Sequence, residues 1–298
     1  SYASFTADRT AYFRQGQAWG RGLMIAGHLE GMVGTQLVDG QSPALFLYDT
    51  QFGLSDMWLI EGNINDREGY SRSLSIDPWH RGAVWSTRVC SDHDISLCTL
   101  SLKQSKASSE VSLGTTSQQS AFLVKVNAQA ALSWIKGFKP VDPTCTACHV
   151  DLISIALIDG VIYGVLNHIG AVHMSNVSIE TEDEDPSIYI YPSDASTHET
   201  VTLFALSEDG EPLWTLPYHS TNNVFASSLS VASDELGGAW IGLALQFKGT
   251  VNVEGQEISS AGSQHYDALG LRFHARPVES EEHGWSLTHD GMIKASSY

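Results

Sequence analysis

At 298 residues the chain has room for two average domains or one large β domain. Hydrophobic residues make up 42% of it, enough to build a core and too many for a disordered chain. Acidic residues outnumber basic ones 34 to 16, and the net charge of −18 repels DNA, RNA and anionic lipid headgroups, so nucleic acid is not an expected partner.

Taken in chain order, the sequence shows one pattern repeatedly: apolar strand, polar turn, apolar strand. AYFRQGQAWGRGLMIAGHL from Ala11 is the first instance, and ALFLYDTQFGLSDMWLIEG from Ala44 follows it. SLSIDPWHRGAVWSTRV from Ser73, turning at His80-Arg-Gly82, precedes AFLVKVNAQAALSWIKGF from Ala121. ISIALIDGVIYGVL from Ile153, with its Asp159-Gly160 hairpin signal, precedes VTLFALSEDGEPLWTLPY from Val201. SLSVASDELGGAWIGLAL from Ser228, turning at Gly237-Gly238, precedes DALGLRFHARPVESEEHGWSL from Asp267. Trp58, Trp134, Trp214 and Trp285 each stand in the closing strand of a pair. Within strands the side chains alternate, with Phe122, Val124 and Val126 on one side and Leu123 and Lys125 on the other.

Four four-stranded units in a row, each closed by an aromatic strand, predict an all-β fold. They point to a β-propeller of four blades near residues 10–62, 70–138, 150–218 and 225–288, in a single domain spanning 1–298. One unit cannot bury both faces of its own sheet, so neighbours must stack. A β-sandwich is the alternative, though it leaves the recurring tryptophan unexplained. Two segments, Lys103 to Gln119 and Asn167 to Thr200, exceed the repeat and are expected as loops that carry specific function.

The unit resembles the β-propeller repeats of secreted bacterial lipoproteins. KGTVNVEGQEISSAGSQHYDALGLRF, Lys248 to Phe273, is similar to the middle of that repeat, and SAFLVKVNAQAALSWIKGF to its end. The resemblance implies a propeller and an exported location, at the cell surface, outside the cell or in the periplasm, and implies no shared activity. No stretch reaches the roughly 20 apolar residues of a membrane helix.

The cysteines fall into two local pairs, Cys90 with Cys98 and Cys145 with Cys148, which fits disulfides in an oxidising compartment. CTACH, Cys145 to His149, carries a second reading. Two thiols and a following histidine are the attachment pattern of a c-type haem, with His168, His173 or Met174 as distal ligand candidates. Against haem, VDLISIALIDG after the motif reads as strand, whereas such cytochromes continue into a helix.

Other features have plainer readings. Asp92, His93 and Asp94 are expected at a solvated loop tip before a metal site. The acidic runs 180–185 and 279–283 could attract calcium but lack the EF-hand spacing. Asn176-Val-Ser178 is a glycosylation sequon. No nucleophile elbow, zinc-protease helix, P-loop or dinucleotide fingerprint is present. The expectation is therefore a non-enzymatic binding or structural module with a protein partner or a larger assembly. A haem electron carrier is the first alternative and a glycan-binding lectin the second.

Overall fold

The computed structural model describes residues 11–20, 22–33, 36–51, 53–62, 69–77, 82–89, 98–105, 110–116, 118–177, 188–190, 198–234, 236–262, 265–278 and 284–295. Every regular element among them is a β-strand and the strands pair in antiparallel ladders, so the expected all-β class is observed. Two compact units form, one of residues 1–151 with 173–189 and one of 152–172 with 190–298.

Unit one starts with a meander of β1 (Ala11–Trp19), β2 (Gly22–Val33), β3 (Gln36–Tyr48) and β4 (Leu54–Gly62), each paired with the next. Asp49 closes its last turn by accepting the N–H groups of Gln51 at 2.8 Å and Gly53 at 2.9 Å. Next in sequence are β5 (Tyr70–Ile76), β6 (Gly82–Val89), β7 (Cys98–Gln104), β8 (Glu110–Thr116), β9 (Ser120–Asn127) and β10 (Leu132–Pro140). The strands β5, β6, β9 and β10 make a second meander. β7 and β8 leave it and extend the first sheet beyond β4, from Trp58↔Gln104 to Gly62↔Leu100.

Unit two starts within β11 (His149–Ile158), followed by β12 (Val161–Ile169). Asp159 (φ 50°) and Gly160 (φ 77°) join these two strands, and two left-handed residues in a row are what a tight hairpin turn needs. Then come β13 (Val172–Asn176), β14 (Ile188–Ile190), β15 (Thr200–Ser207) and β16 (Pro212–Tyr218). β11, β12, β15 and β16 form a four-stranded sheet, while β13 and β14 extend the second sheet of unit one beyond β10. The last strands are β17 (Asn223–Ser233), β18 (Ala239–Lys248), β19 (Thr250–Val253), β20 (Gln256–Ser259), β21 (Asp267–Pro277) and β22 (Trp285–Ala295). β17, β18, β21 and β22 form a fourth meander, and β19 with β20 a separate hairpin.

The two segments expected as long functional loops thus contain strands. Residues 110–116 fold as β8 and 172–176 as β13. The physical reason is that a sheet's last strand leaves a row of unpaired N–H and C=O groups, and an alternating segment such as TLSLKQ satisfies them.

Each unit has its own core. In unit one, Trp58, Trp85, Phe122 and Val124 pack with Leu100 and Leu102 of the added hairpin. Trp58 donates its indole N–H to Ala130 O at 3.1 Å, and Trp85 donates to Ser71 Oγ at 3.0 Å, so neither buried ring leaves a polar atom stranded. β9 is covered on both faces: Ser120 to Val126 are all buried, Lys125 included. In unit two the core is built from Tyr163, Leu203, Ile241, Phe247 and Phe273. The Phe204 ring lies against Gly164, where a Cβ would stand 2.2 Å from it, so this strand position needs glycine. The recurring tryptophans sit on β4, β10, β16 and β22. Trp58 is buried and the other three are half-buried, which fits packing as their main work.

Candidate binding surface

The last sheet shows how sequence alternation makes a surface. Along β18, Ile241, Leu243, Leu245 and Phe247 enter the core, as do Leu269, Leu271 and Phe273 of β21. The residues between them face the other way. Trp240 stands opposite His274, Gly242 opposite Arg272, Ala244 opposite Gly270 and Gln246 opposite Ala268. The outer face is therefore a low shelf of small residues with a raised aromatic and charged end. β22 borders it, with Ile293 opposite Gly270 and 78% exposed.

The raised end is a connected cluster. The indole of Trp240 stacks on the His274 imidazole, ring centres 4.2 Å apart, and the Arg272 guanidinium lies 5.3 Å from the centre of the indole ring. Arg272 pairs with Asp290, and Asp234 pairs with His274 Nε2. Arg276 donates to His274 Nδ1 at 2.9 Å. That bond makes Nδ1 the acceptor, so Nε2 carries the proton given to Asp234. With both ring nitrogens engaged, His274 has no vacant lone pair for a general base. Asp234 also accepts the N–H of Leu236 at 2.9 Å and that of Gly238, closing the β17–β18 turn. The bond from His274, then those two amides, hold the Asp234 carboxyl below its ordinary pKa.

A second polar cluster belongs to unit one. Asp151 accepts Arg72 Nε at 2.9 Å and Arg88 Nη1 at 3.3 Å, and is also bonded to Arg72 Nη2. Arg88 sits 5.0 Å from the centre of the Tyr70 ring. Burial lowers the Arg88 pKa, and Asp151 opposes that shift. Asp151 thus ties two arginines from β5 and β6 to the start of β11, so this cluster fastens the unit.

The CTACH segment forms turns between β10 and β11. Asp142 accepts the hydroxyl of Thr144 at 2.7 Å and its N–H at 2.8 Å, which draw the Asp142 pKa down. Gln118 Nε2 donates to the carbonyls of Asp142 and Cys145. The Sγ atoms of Cys145 and Cys148 lie 2.06 Å apart, the distance of a disulfide. His149 opens β11 with Nδ1 3.2 Å from Ala147 O. Of the distal candidates, His168 is fully buried with Nδ1 2.8 Å from Gly170 O and Nε2 2.9 Å from Thr202 Oγ1. Met174 is a buried residue of β13, and His173 lies beside it on that strand.

Cys90, the tip residues Asp92 to Asp94 and both acidic runs lie outside the described residues, as does the side chain of Cys98. Among the described residues no three His, Cys, Asp or Glu side chains are grouped to hold a metal. A shallow cleft of about 320 Å³ beside the β19–β20 hairpin is lined by Thr221, Lys248, Thr250 and Ser259. Its hydroxyls largely bond to their neighbours: Thr221 Oγ1 accepts the N–H of Thr250, and Thr250 Oγ1 meets Ser259 Oγ at 2.9 Å.

No protein-family model matches the chain, and no curated protein sequence is significantly similar to it.

Sequence reasoning missed the Trp240, Asp234, His274 and Arg272 cluster. The signal was present: in AWIGLALQFK the apolar period of two leaves Trp240 on the side away from the core.

Proposed function

We propose that the chain is a non-enzymatic binding and assembly module, built from propeller-type blades and working outside the cytoplasm. The observation that carries this reading is strand addition: hairpins of the chain extend its own sheets beyond β4 and β10, and β22 remains a long edge bordered by an exposed face. An edge strand offers unpaired backbone groups to any incoming strand, which supplies affinity, while the neighbouring side chains supply selectivity. The Asp234–His274 pair has the composition of a catalytic dyad but spends both imidazole nitrogens on internal bonds. The Cys145–Cys148 staple and the acidic surface fit an oxidising, extracytoplasmic setting.

The test is to place a charge on the edge. Ile293→Lys changes a side chain that is 78% exposed, so the fold should persist while strand addition is blocked. The expected result is an unchanged circular-dichroism spectrum together with loss of the complexes that the wild-type chain forms in its native source. Complexes that survive both this variant and Thr288→Lys would overturn the reading.

A further inference from the structure

The shallow cleft beside the β19–β20 hairpin lies wholly within unit two, and every side chain that lines it is polar, the rest of the lining being glycine. Its walls are fixed by their own hydrogen bonds. β18 ends at Lys248, and Gly249 (φ 86°) turns the chain into β19. A Cβ on Gly249 would stand 2.5 Å from Thr221 Oγ1, so this close approach needs glycine. Gly249 N–H donates to Ser260 Oγ at 3.0 Å, and Ser260 N–H returns to Gly249 O at 2.8 Å. Thr221 and Thr250 are tied in the same reciprocal way, Thr221 N–H to Thr250 O at 3.0 Å and Thr250 N–H to Thr221 Oγ1 at 2.9 Å.

These bonds use up acceptors and leave donors. The carbonyls of Lys248, Gly249, Thr250 and Ser259 all accept from within the protein. Thr221 Oγ1 is engaged as an acceptor, so its own hydrogen is left to give. The Thr250 and Ser259 hydroxyls bond to each other with one hydrogen, which leaves the second over. The Lys248 ammonium makes no ion pair or hydrogen bond among the described residues. Asp267, near Ser259, does not answer it: Asp267 Oδ2 is 3.2 Å from Lys294 Nζ and accepts the N–H of Ala261 at 2.8 Å. The cleft therefore offers one cation and an excess of donors.

We propose that this cleft binds an acidic sugar, a hydroxylated ring that carries a carboxylate or a sulfate ester. Lys248 pairs with the anionic group, and the Thr221 hydroxyl and the spare hydrogen of the Thr250–Ser259 pair donate to it. The Asn222 amide, donor and acceptor at once, suits ring hydroxyls, which are both as well. A volume of about 320 Å³ lies at the small end of ligand pockets and holds more than a bare oxyanion. With no apolar side chain in the lining, an aliphatic or aromatic acid would find nothing against which to bury its hydrocarbon. This goes beyond the assembly reading, and neither depends on the other.

Nuclear magnetic resonance titration of the isotope-labelled 298-residue chain tests this with four probes: glucuronate, glucose sulfate, glucose and inorganic sulfate. Salt at about 0.15 M screens the remote negative charge of the protein. The Gly249, Thr250 and Gly262 amides should shift and saturate with glucuronate or glucose sulfate at a Kd of about 1 mM or lower, and the tighter of the two identifies the anionic group. Glucose and inorganic sulfate should bind at least about tenfold more weakly. Lys248→Gln should lose about tenfold in affinity while amides remote from the cleft keep their positions, and Lys248→Arg should recover most of the loss. The absence of saturable shifts with either acidic sugar up to about 20 mM would overturn the proposal. So would a Lys248→Gln chain that binds like the wild type, or inorganic sulfate binding as tightly as glucose sulfate, which would mean an adventitious ion only.

Discussion

β4 and β22 hold the same place, the fourth strand of a meander, and each carries a tryptophan, yet they differ in burial. On β4 the residues Met57 to Ile60 are all buried, and Trp58 is among the largest fully enclosed side chains. On β22 no residue is buried: its residues are half-buried or exposed, with Ile293 78% exposed. The sequences LSDMWLIEG and WSLTHDGMIKA explain part of this, since β4 has the longer apolar run. The larger part is the hairpin laid on β4, because a covered edge buries both faces and an open edge keeps one in water. Edge burial here depends on what the chain lays over the strand as much as on the strand itself.

Five substitutions would break or sharpen that contrast. Trp58→Ala should cost about 3–5 kcal/mol, through the cavity and the lost bond to Ala130, while Trp285→Ala should cost only about 1–2 kcal/mol. Urea unfolding followed by circular dichroism reads both. Charge pairs should divide the same way. Asp151→Ala strands two largely buried arginines and should cost about 3–5 kcal/mol, whereas Asp290→Ala removes the exposed partner of Arg272 and should cost less than about 1 kcal/mol. Cys145→Ser opens a short staple, and thermal melting should show a loss of about 2 kcal/mol.

The smallest effect is in pH. The folded Asp234 carboxyl sits below its ordinary pKa, so its share of stability is complete above the unfolded value near 3.9 and is lost as pH falls through the lower folded value. Nuclear magnetic resonance of the Leu236 and Gly238 amides should show the β17–β18 turn unchanged down to about pH 4 and loosening only below that. In Asp234→Asn the same amide shifts should no longer respond to acid.

The all-β class was legible because apolar alternation and turn chemistry agreed along the chain. Asp159-Gly160 is the clearest case, a dipeptide suited to two left-handed residues and found with both. The recurring tryptophans marked strands correctly, since an aromatic in a period-two run packs well on a sheet. What the sequence did not reveal was pairing. TLSLKQ reads as a strand, but nothing local says that it joins β4 rather than its own meander; that choice depends on an unsatisfied edge distant in sequence. The Trp240 cluster was hidden for the same reason, because His274 meets Trp240 only through the β18–β21 register. CTACH was ambiguous in sequence because a haem motif and a staple share their cysteine spacing. In the structure the two sulfurs stand at disulfide distance.

The most direct measurement is hydrogen exchange resolved to β4 and β22. The account predicts that β4 amides are slow and β22 amides fast in the isolated chain, because β4 carries a hairpin while β22 pairs with β21 alone among the described strands. Protection of β22 equal to that of β4 in the isolated chain would show its edge already satisfied, and would contradict the claim that edge burial here depends on the strand laid over it.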